Sequence, residues 1–348
     1  MLNQFQQFLF SLLQHSGQRL SALVLVSSWL SLGISGCTST NSANSNVTNV
    51  SNQTQEKSSV IRLGYQKGGL APIARQRGEL DRELSTQNIK VEWTGPFDRC
   101  ASLLQAINAN KSDIGGCGDI PGISAIAAGQ SICIGAVQPP RTDSLANAIL
   151  VRGDSSIRKP ADLVGKKVAV NQGGAGEQLL LKVLEKEKIP KEKVQRVYLG
   201  PIDAAPALYQ GTVDAWAVWE PYISIAQLEH GARRITTTHP APGYSLMLVR
   251  NEAATQNPVA VKAALSALNQ EAQWLNGHTA EAAGFLSKDL KIAPAVAKQV
   301  TLNQGPLQIV IPSATDIVNI QKSADWMLEQ KIITKKVDIA AAVCPTAK

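Results

Sequence analysis

Aromatic residues make up only 5% of the chain, although six of the few present are tryptophan. Histidine occurs four times, at positions 15, 230, 239 and 278, and never as a pair. The five cysteines include no Cys-x-x-Cys spacing and have no histidine pair nearby, which excludes the usual zinc motifs. No Gly-x-Ser-x-Gly, His-Glu-x-x-His, kinase or phosphate-loop signature is present. The residues therefore nominate no catalytic group, no metal and no cofactor. The formal net charge is +7, but the lysines and arginines are scattered. They form no block and do not interleave with aromatics, which excludes nucleic acid as a partner. What the chain does have is length and apolar content. Its 348 residues are 44% hydrophobic, enough for two domains with a core each.

The N-terminus reads as a targeting segment. Residues 1–19 carry one charged group, Arg19, and an apolar run follows at 20–34. A run of about 15 residues is short for a membrane span, which needs ~20, and suits a signal-peptide core. It ends in "ISGC", which resembles the lipobox of bacterial lipoproteins. On that resemblance residues 1–36 are removed and Cys37 is acylated. The other readings are an uncleaved anchor helix, or a simple secretory signal with Cys37 incidental. Residues 37–59 are Ser, Thr, Asn and Gln with almost no apolar content, so they cannot offset their ordering entropy and form a tether. A tether from a lipid places the body outside the cytoplasmic membrane. That compartment permits disulfides among Cys100, Cys117, Cys133 and Cys344, but the sequence does not pair them. Cys133, in "SICIGAV", reads as a core thiol.

From residue 60 short β-rich runs alternate with helical periods, which argues an α/β fold with a largely parallel sheet. Strands are expected at 60–65, 89–94 and 112–117, with helices over 70–84, over 98–109 and from Pro121. A second series starts near Lys159, with strands at 166–170 and in "AWAVW" and a strong amphipathic helix over 174–188. Helices dominate from 257 onward. The apolar runs "NAILVR" and "YSLMLVR" bound the second series, so the chain goes out through one and returns through the other. This gives two doubly wound lobes joined by two crossing strands, residues 60–150 with 245–348 as the first and 151–244 as the second. A hinge is expected near 150–152 and 244–247.

In open α/β sheets ligands bind beyond the carboxyl ends of strands. The residues at those exits are Gln66 to Gly69, Gly118 to Pro121, Asn171 to Gly176, and Trp219-Glu220. In "NQGGAGE" the glycines allow a backbone to approach a ligand, and a helix N-terminus there offers free N–H groups to an anion. A plain glycine-rich turn is the competing reading. Asp119 reads as a helix cap that can still face a cleft. Trp219 reads as an apolar wall at a strand exit or as an ordinary interior tryptophan, and Pro221 as the start of the next helix.

"IRLGYQKGG", "CGDIPG", "KKVAVNQGGAGEQLLL" and "PIDAAPALYQGTVDAWAVWEPY", in this order over about 60–247, resemble the aliphatic sulfonate-binding proteins. These are solute receptors of the nitrate, sulfonate and taurine importers. The resemblance implies a type II periplasmic binding protein fold: a periplasmic, monomeric receptor that holds a small anionic ligand between two lobes. It implies delivery to an ABC permease with its ATPase subunits. The positions it implies for ligand binding are Gln66, Gly118, Asp119, Gln172, Gly173, Gly174, Ala175, Trp219 and Glu220. Two features depart from the family pattern. Arg99-Cys100 stand where a small-residue approach is usual, and Cys117 replaces a small or hydroxyl residue. Taurine, nitrate or a thiamine-precursor pyrimidine are the alternative ligands. An enzyme on the same fold, using Asp119 with Glu220, is the alternative of another class.

Overall fold

A computed structural model describes residues 58–236 and 243–347. The apolar run at 20–34, Cys37 and most of the polar tether lie outside the described residues. Among the described residues no helix is long and apolar enough to cross a membrane.

Among the described residues ten strands form two five-stranded sheets. The first sheet uses β1 (Ser59–Gln66), β2 (Ile89–Phe97), β3 (Ile114–Gly118), β4 (Ile132–Gln138) and β10 (Ser245–Arg250), in the order β2-β1-β3-β10-β4. The second uses β5 (Asn147–Val151), β6 (Lys167–Val170), β7 (Gln195–Tyr198), β8 (Ala215–Trp219) and β9 (Arg233–Arg234), in the order β7-β6-β8-β5-β9. The two orders are the same topology. In each, three parallel strands stand in the order second, first, third, and an antiparallel strand separates them from the last. That antiparallel strand is the one on which the chain enters its sheet from the other, β5 for the second and β10 for the first. These are the runs "NAILVR" and "YSLMLVR".

The sequence dictates this arrangement locally. Along β5 the side chains alternate, Ala148 and Leu150 into one apolar cluster and Ile149 and Val151 into another. Strand β8 is buried from Ala215 to Val218, as a central strand covered on both faces requires. On one face it meets α5 (Ala175–Lys186), whose Leu179, Leu180, Val183 and Leu184 point at the sheet. On the other it meets α6 (Pro201–Tyr209) and α7 (Tyr222–His230). The first sheet has the same sandwich. One face carries α1 (Ala71–Arg77), α2 (Glu79–Thr86) and the helices α8 (Asn251–Gln256), α9 (Pro258–Gly277), α10 (Thr279–Leu290) and α11 (Pro294–Gln304). The other carries α3 (Cys100–Asn108), α4 (Asp119–Ala127), α12 (Ala314–Glu329) and α13 (Ile339–Ala342).

The structure corrects four local expectations. The single helix expected over 70–84 is two, because Gly78 takes a left-handed φ of 71° and caps α1 through its N–H to Ala74 O. Cys133 is not a free thiol: it bridges to Cys344, and Cys100 bridges to Cys117. The expected hinge positions fall inside strands, where Leu150 and Val151, and Leu246 and Met247, pair on both sides. Pro221 is the N-cap of α7 and not its first residue.

Candidate functional site

The carboxyl ends of β1, β3, β6 and β8 open into one cavity of about 290 Å3. Each exit supplies wall residues: Gln66, Gly68 and Gly69 from β1, Gly118 and Asp119 from β3, Asn171 and Ala175 from β6, and Trp219 and Glu220 from β8. Two sheets meeting at their carboxyl ends is the geometry in which α/β proteins bind ligands.

Helix α5 starts at this wall. Its N-cap, Gly174, offers no side-chain cap. The Gly173 N–H donates to Glu177 Oε2 (2.8 Å) and the Gly176 N–H to Asn171 Oδ1 (3.1 Å). The N–H of Ala175, on the wall, meets no acceptor among the described residues. A free N–H at the positive end of a helix is a donor ready for an anion. Gly176 lets the helix come this close to β8, because a Cβ there would lie 2.3 Å from Ala217 O. The Glu177 carboxylate does not oppose an anion in the cavity directly, since it is held by Arg196 (2.8 Å), Tyr198 (3.1 Å) and the Gly173 N–H.

No lysine or arginine is among the described residues lining the cavity, but two carboxylates are. Asp119 is buried, accepts from the Ile120 N–H (2.8 Å) and Ser323 Oγ (3.1 Å), and is the first residue of α4, with Gly118 as the cap. The expected capping role for Asp119 is thus corrected. Burial pushes its carboxyl up to about 6 against those hydrogen bonds. Glu220 is also buried, and its carboxylate is committed. It accepts from Ser224 N (3.1 Å), Ser224 Oγ (2.9 Å) and Asn303 Nδ2 (2.5 Å). Arg234 stands at 3.7 Å as an ion pair without a hydrogen bond. Burial raises the Glu220 carboxyl, and the bonds from Asn303 and Ser224 oppose the rise.

The remaining wall is amide and apolar. Gln66 Nε2 donates to Gly116 O (2.7 Å) and ties the β1 exit to β3. Asn147, Gln138, Ser144, Gln178 and Gln304 add polar groups. Trp219, edge-on to Tyr222 with ring centres 6.1 Å apart, supplies apolar surface with Met247, Leu268, Leu307 and Ile309. The Cys100–Cys117 disulfide is part of the wall, so the cysteines of both family departures line the cavity, whereas Arg99 does not.

Of the nine expected positions, Gln66, Gly118, Asp119, Ala175, Trp219 and Glu220 line the cavity, whereas Gln172, Gly173 and Gly174 do not. Gln172 is exposed. Gly173 takes the left-handed φ of 62° that turns the chain. Gly174 is buried behind Asn171, the residue that takes the wall position. Asn171 was read at the β6 exit but not carried among the ligand-binding positions, and Gln178 was missed, although a signal existed for both. Asn171 directly follows β6, and Gln178 is three residues beyond Ala175, on the same helix face. Gln304, Leu307 and Ile309 had none, because they come from a distant helical tail.

The NMT1/THI5 like family model matches residues 85–282. A relative in Escherichia coli K12, named as an aliphatic sulfonates-binding protein, is 32% identical over 282 residues, covering 80% of this chain and 86% of that one. One of the same name in Bacillus subtilis 168 is 34% identical over 292 residues, covering 81% and 85%. The solved alkanesulfonate-binding protein of Xanthomonas axonopodis pv. citri, bound to MOPS, is 31% identical with a TM-score of 0.74, covering 82% of this chain and 98% of that one. A desulfurization enzyme at 14% identity and a TM-score of 0.60 shares the fold alone. With two parallel-sheet halves of one topology, a cavity at their shared strand ends and these relatives, the chain belongs to the NMT1/THI5-like family, among its aliphatic sulfonate-binding proteins.

Proposed function

We propose that the protein is the extracytoplasmic solute receptor of an ABC importer and binds a small sulfonate monoanion. The observation that carries this reading is the free Ala175 N–H at the start of α5, in a wall of amides with no lysine or arginine among the described residues. A sulfonate is a permanent, weakly basic monoanion that neutral N–H donors can hold. A dianion such as sulfate would need a countercharge that this wall lacks, with Asp119 and Glu220 nearby. The apolar surface from Trp219 to Ile309 takes a short carbon chain. At about 290 Å3 the cavity lies near the lower end of small-molecule sites, roughly 300 Å3. Gln66, Gly118, Asp119, Ala175, Trp219 and Glu220 are the proposed contacts or wall. Gln172, Gly173 and Gly174 shape the turn behind them. The two sheet halves, expected as residues 60–150 with 245–348 and as 151–244 but with β5 (Asn147–Val151) standing in the second, act as lobes that close on the ligand. The monomeric receptor then docks on a permease with its ATPase subunits. The relatives above 30% identity, which are sulfonate-binding proteins, support this reading.

Calorimetric titration with ethane- and pentanesulfonate, taurine, nitrate, sulfate and a pyrimidine tests it. Saturable sulfonate binding is expected, and heat from nitrate or the pyrimidine with none from any sulfonate would overturn it. The same titration has a pH signature. An anion in the cavity stabilises protonated Asp119, so its carboxyl titrates higher in the complex than its free value of about 6. The complex then holds more protons than the free protein above that pH. Affinity should therefore fall as pH rises from about 6, and Asp119→Asn should flatten the profile.

Cys37 is proposed as the lipid attachment point, supported by "ISGC" after a short apolar run. Cys37→Ala should move the protein from the membrane fraction to the soluble one. Continued membrane retention would favour an uncleaved helix.

A further inference from the structure

The apolar end of the cavity contains a polar side chain that no described residue satisfies. Gln304, the last residue of α11, lines the cavity and is 8% exposed. Its Oε1 is buried with no hydrogen-bond partner, and its amide nitrogen makes no bond to a described residue. The asparagines that precede Gln304 or hold Leu307 and Ile309 bond elsewhere. Asn303 donates to Glu220. Asn276 holds both sides of Leu307, donating to its carbonyl (2.8 Å) and accepting from its N–H (2.7 Å). Asn269 accepts from the Ile309 N–H (3.0 Å). The Leu307 N–H and carbonyl and the Ile309 N–H are thus held by side chains. Had this end evolved for a plain hydrocarbon tail, Gln304 would be the costly residue in it. An unpaired buried amide loses its hydration, and an apolar side chain of similar shape would avoid that loss.

We propose that Gln304 is a specificity-determining residue that bonds a polar group at the tail of the ligand. The substrate class is then sulfonates whose carbon chain ends in a hydrogen-bonding group such as a hydroxyl, ether or amide. Either face of the carboxamide suits this role, since it presents a donor and an acceptor at one edge. A ligand group that bonds the amide satisfies it, and an alkyl tail that merely covers it does not. This inference rests on the reading of the cavity as a sulfonate site.

The test compares ω-hydroxybutanesulfonate with pentanesulfonate, which are matched in length, by calorimetry on the native protein and on Gln304→Leu and Gln304→Met. The native protein should prefer the hydroxylated ligand about tenfold, the weight of one satisfied buried polar group. Both variants should lose that preference and bind pentanesulfonate at least as well as the native protein does. The thioether of methionine keeps the length of the glutamine side chain, so one variant remains informative if the other folds poorly. Equal native affinities, or variants that weaken both ligands alike, would overturn the subsite and leave the sulfonate reading standing. Failure of the native protein to bind either ligand would overturn the sulfonate reading, and the subsite with it.

Discussion

Valine at position 174 is expected to weaken sulfonate binding about 100-fold while lowering stability by only about 1 kcal/mol. Gly174 has an extended backbone, φ −124°, which any residue can adopt. The obstacle is Asn171, because a Cβ on residue 174 would lie 1.5 Å from Asn171 Nδ2. The far end of a side chain can swing aside, so the fold survives. The swing removes Asn171 from the cavity wall and breaks its bond to the Gly176 N–H, a capping interaction worth ~1 kcal/mol. It also sets an isopropyl group at the N-terminus of α5, beside the free Ala175 N–H. Gly176→Val is the informative contrast. There the Cβ meets the backbone oxygen of Ala217, which cannot swing, so the melting temperature should fall along with affinity. Calorimetry and thermal melts on the two variants separate these outcomes. If Gly174→Val melts early yet keeps its affinity, the turn is structural and the anion sits elsewhere.

Removing the Glu220 carboxylate should cost far more stability. Glu220→Ala is expected to destabilise the protein by about 3–5 kcal/mol, read as a shift of the urea midpoint at constant slope. The guanidinium of Arg234 has a side chain 16% exposed, and its hydrogen-bond acceptors among the described residues, Leu145 O and Gln227 Oε1, are neutral. Without Glu220 a buried cation loses its countercharge. Asn303 Nδ2 and the Ser224 hydroxyl lose their main acceptor as well. Glu220 follows β8 in the second-sheet half and Asn303 belongs to α11 in the first, so the same change cuts a bond between the halves. Glu220→Gln should be milder and should change affinity for taurine and ethanesulfonate by the same factor, because the carboxylate faces Ser224, Asn303 and Arg234. A loss confined to taurine would mean that Glu220 reads the ligand's ammonium group.

Much of this architecture was legible because it is written in local periods. The alternation of "KKVAV", "GAGEQLLLKVLEKEK" and "AWAVW" reports strand, helix and strand, and each was found where the period changes. The strand exits could be read for the same reason, and Gln66, Asp119 and Trp219 came from position alone. What escaped depends on partners far along the chain. Asn171 and Gly174 were both in view, but that one needs the other to lack a side chain is a matter of packing. The pairing of four cysteines at separations of 17 and 211 residues follows from topology and not from spacing. Gln304 sits in a helical tail whose contact with the cavity no local pattern announces. Glu220 was read as a charge problem for a sulfonate, and its resolution required Asn303, 83 residues away.

The bridge between Cys133 and Cys344 turns most of the protein into a covalent ring. Everything from β4 to α13, including the whole second sheet and the strand β10 that returns to the first, lies inside it. A single backbone cut anywhere in the ring opens the loop without parting the fragments. The ring also has an order of assembly. A chain exported N-terminus first can join Cys100 to Cys117 as soon as both have crossed into the oxidising compartment. Cys133 must wait for 211 further residues, and until they arrive it is an unpaired thiol exposed to the wrong partner.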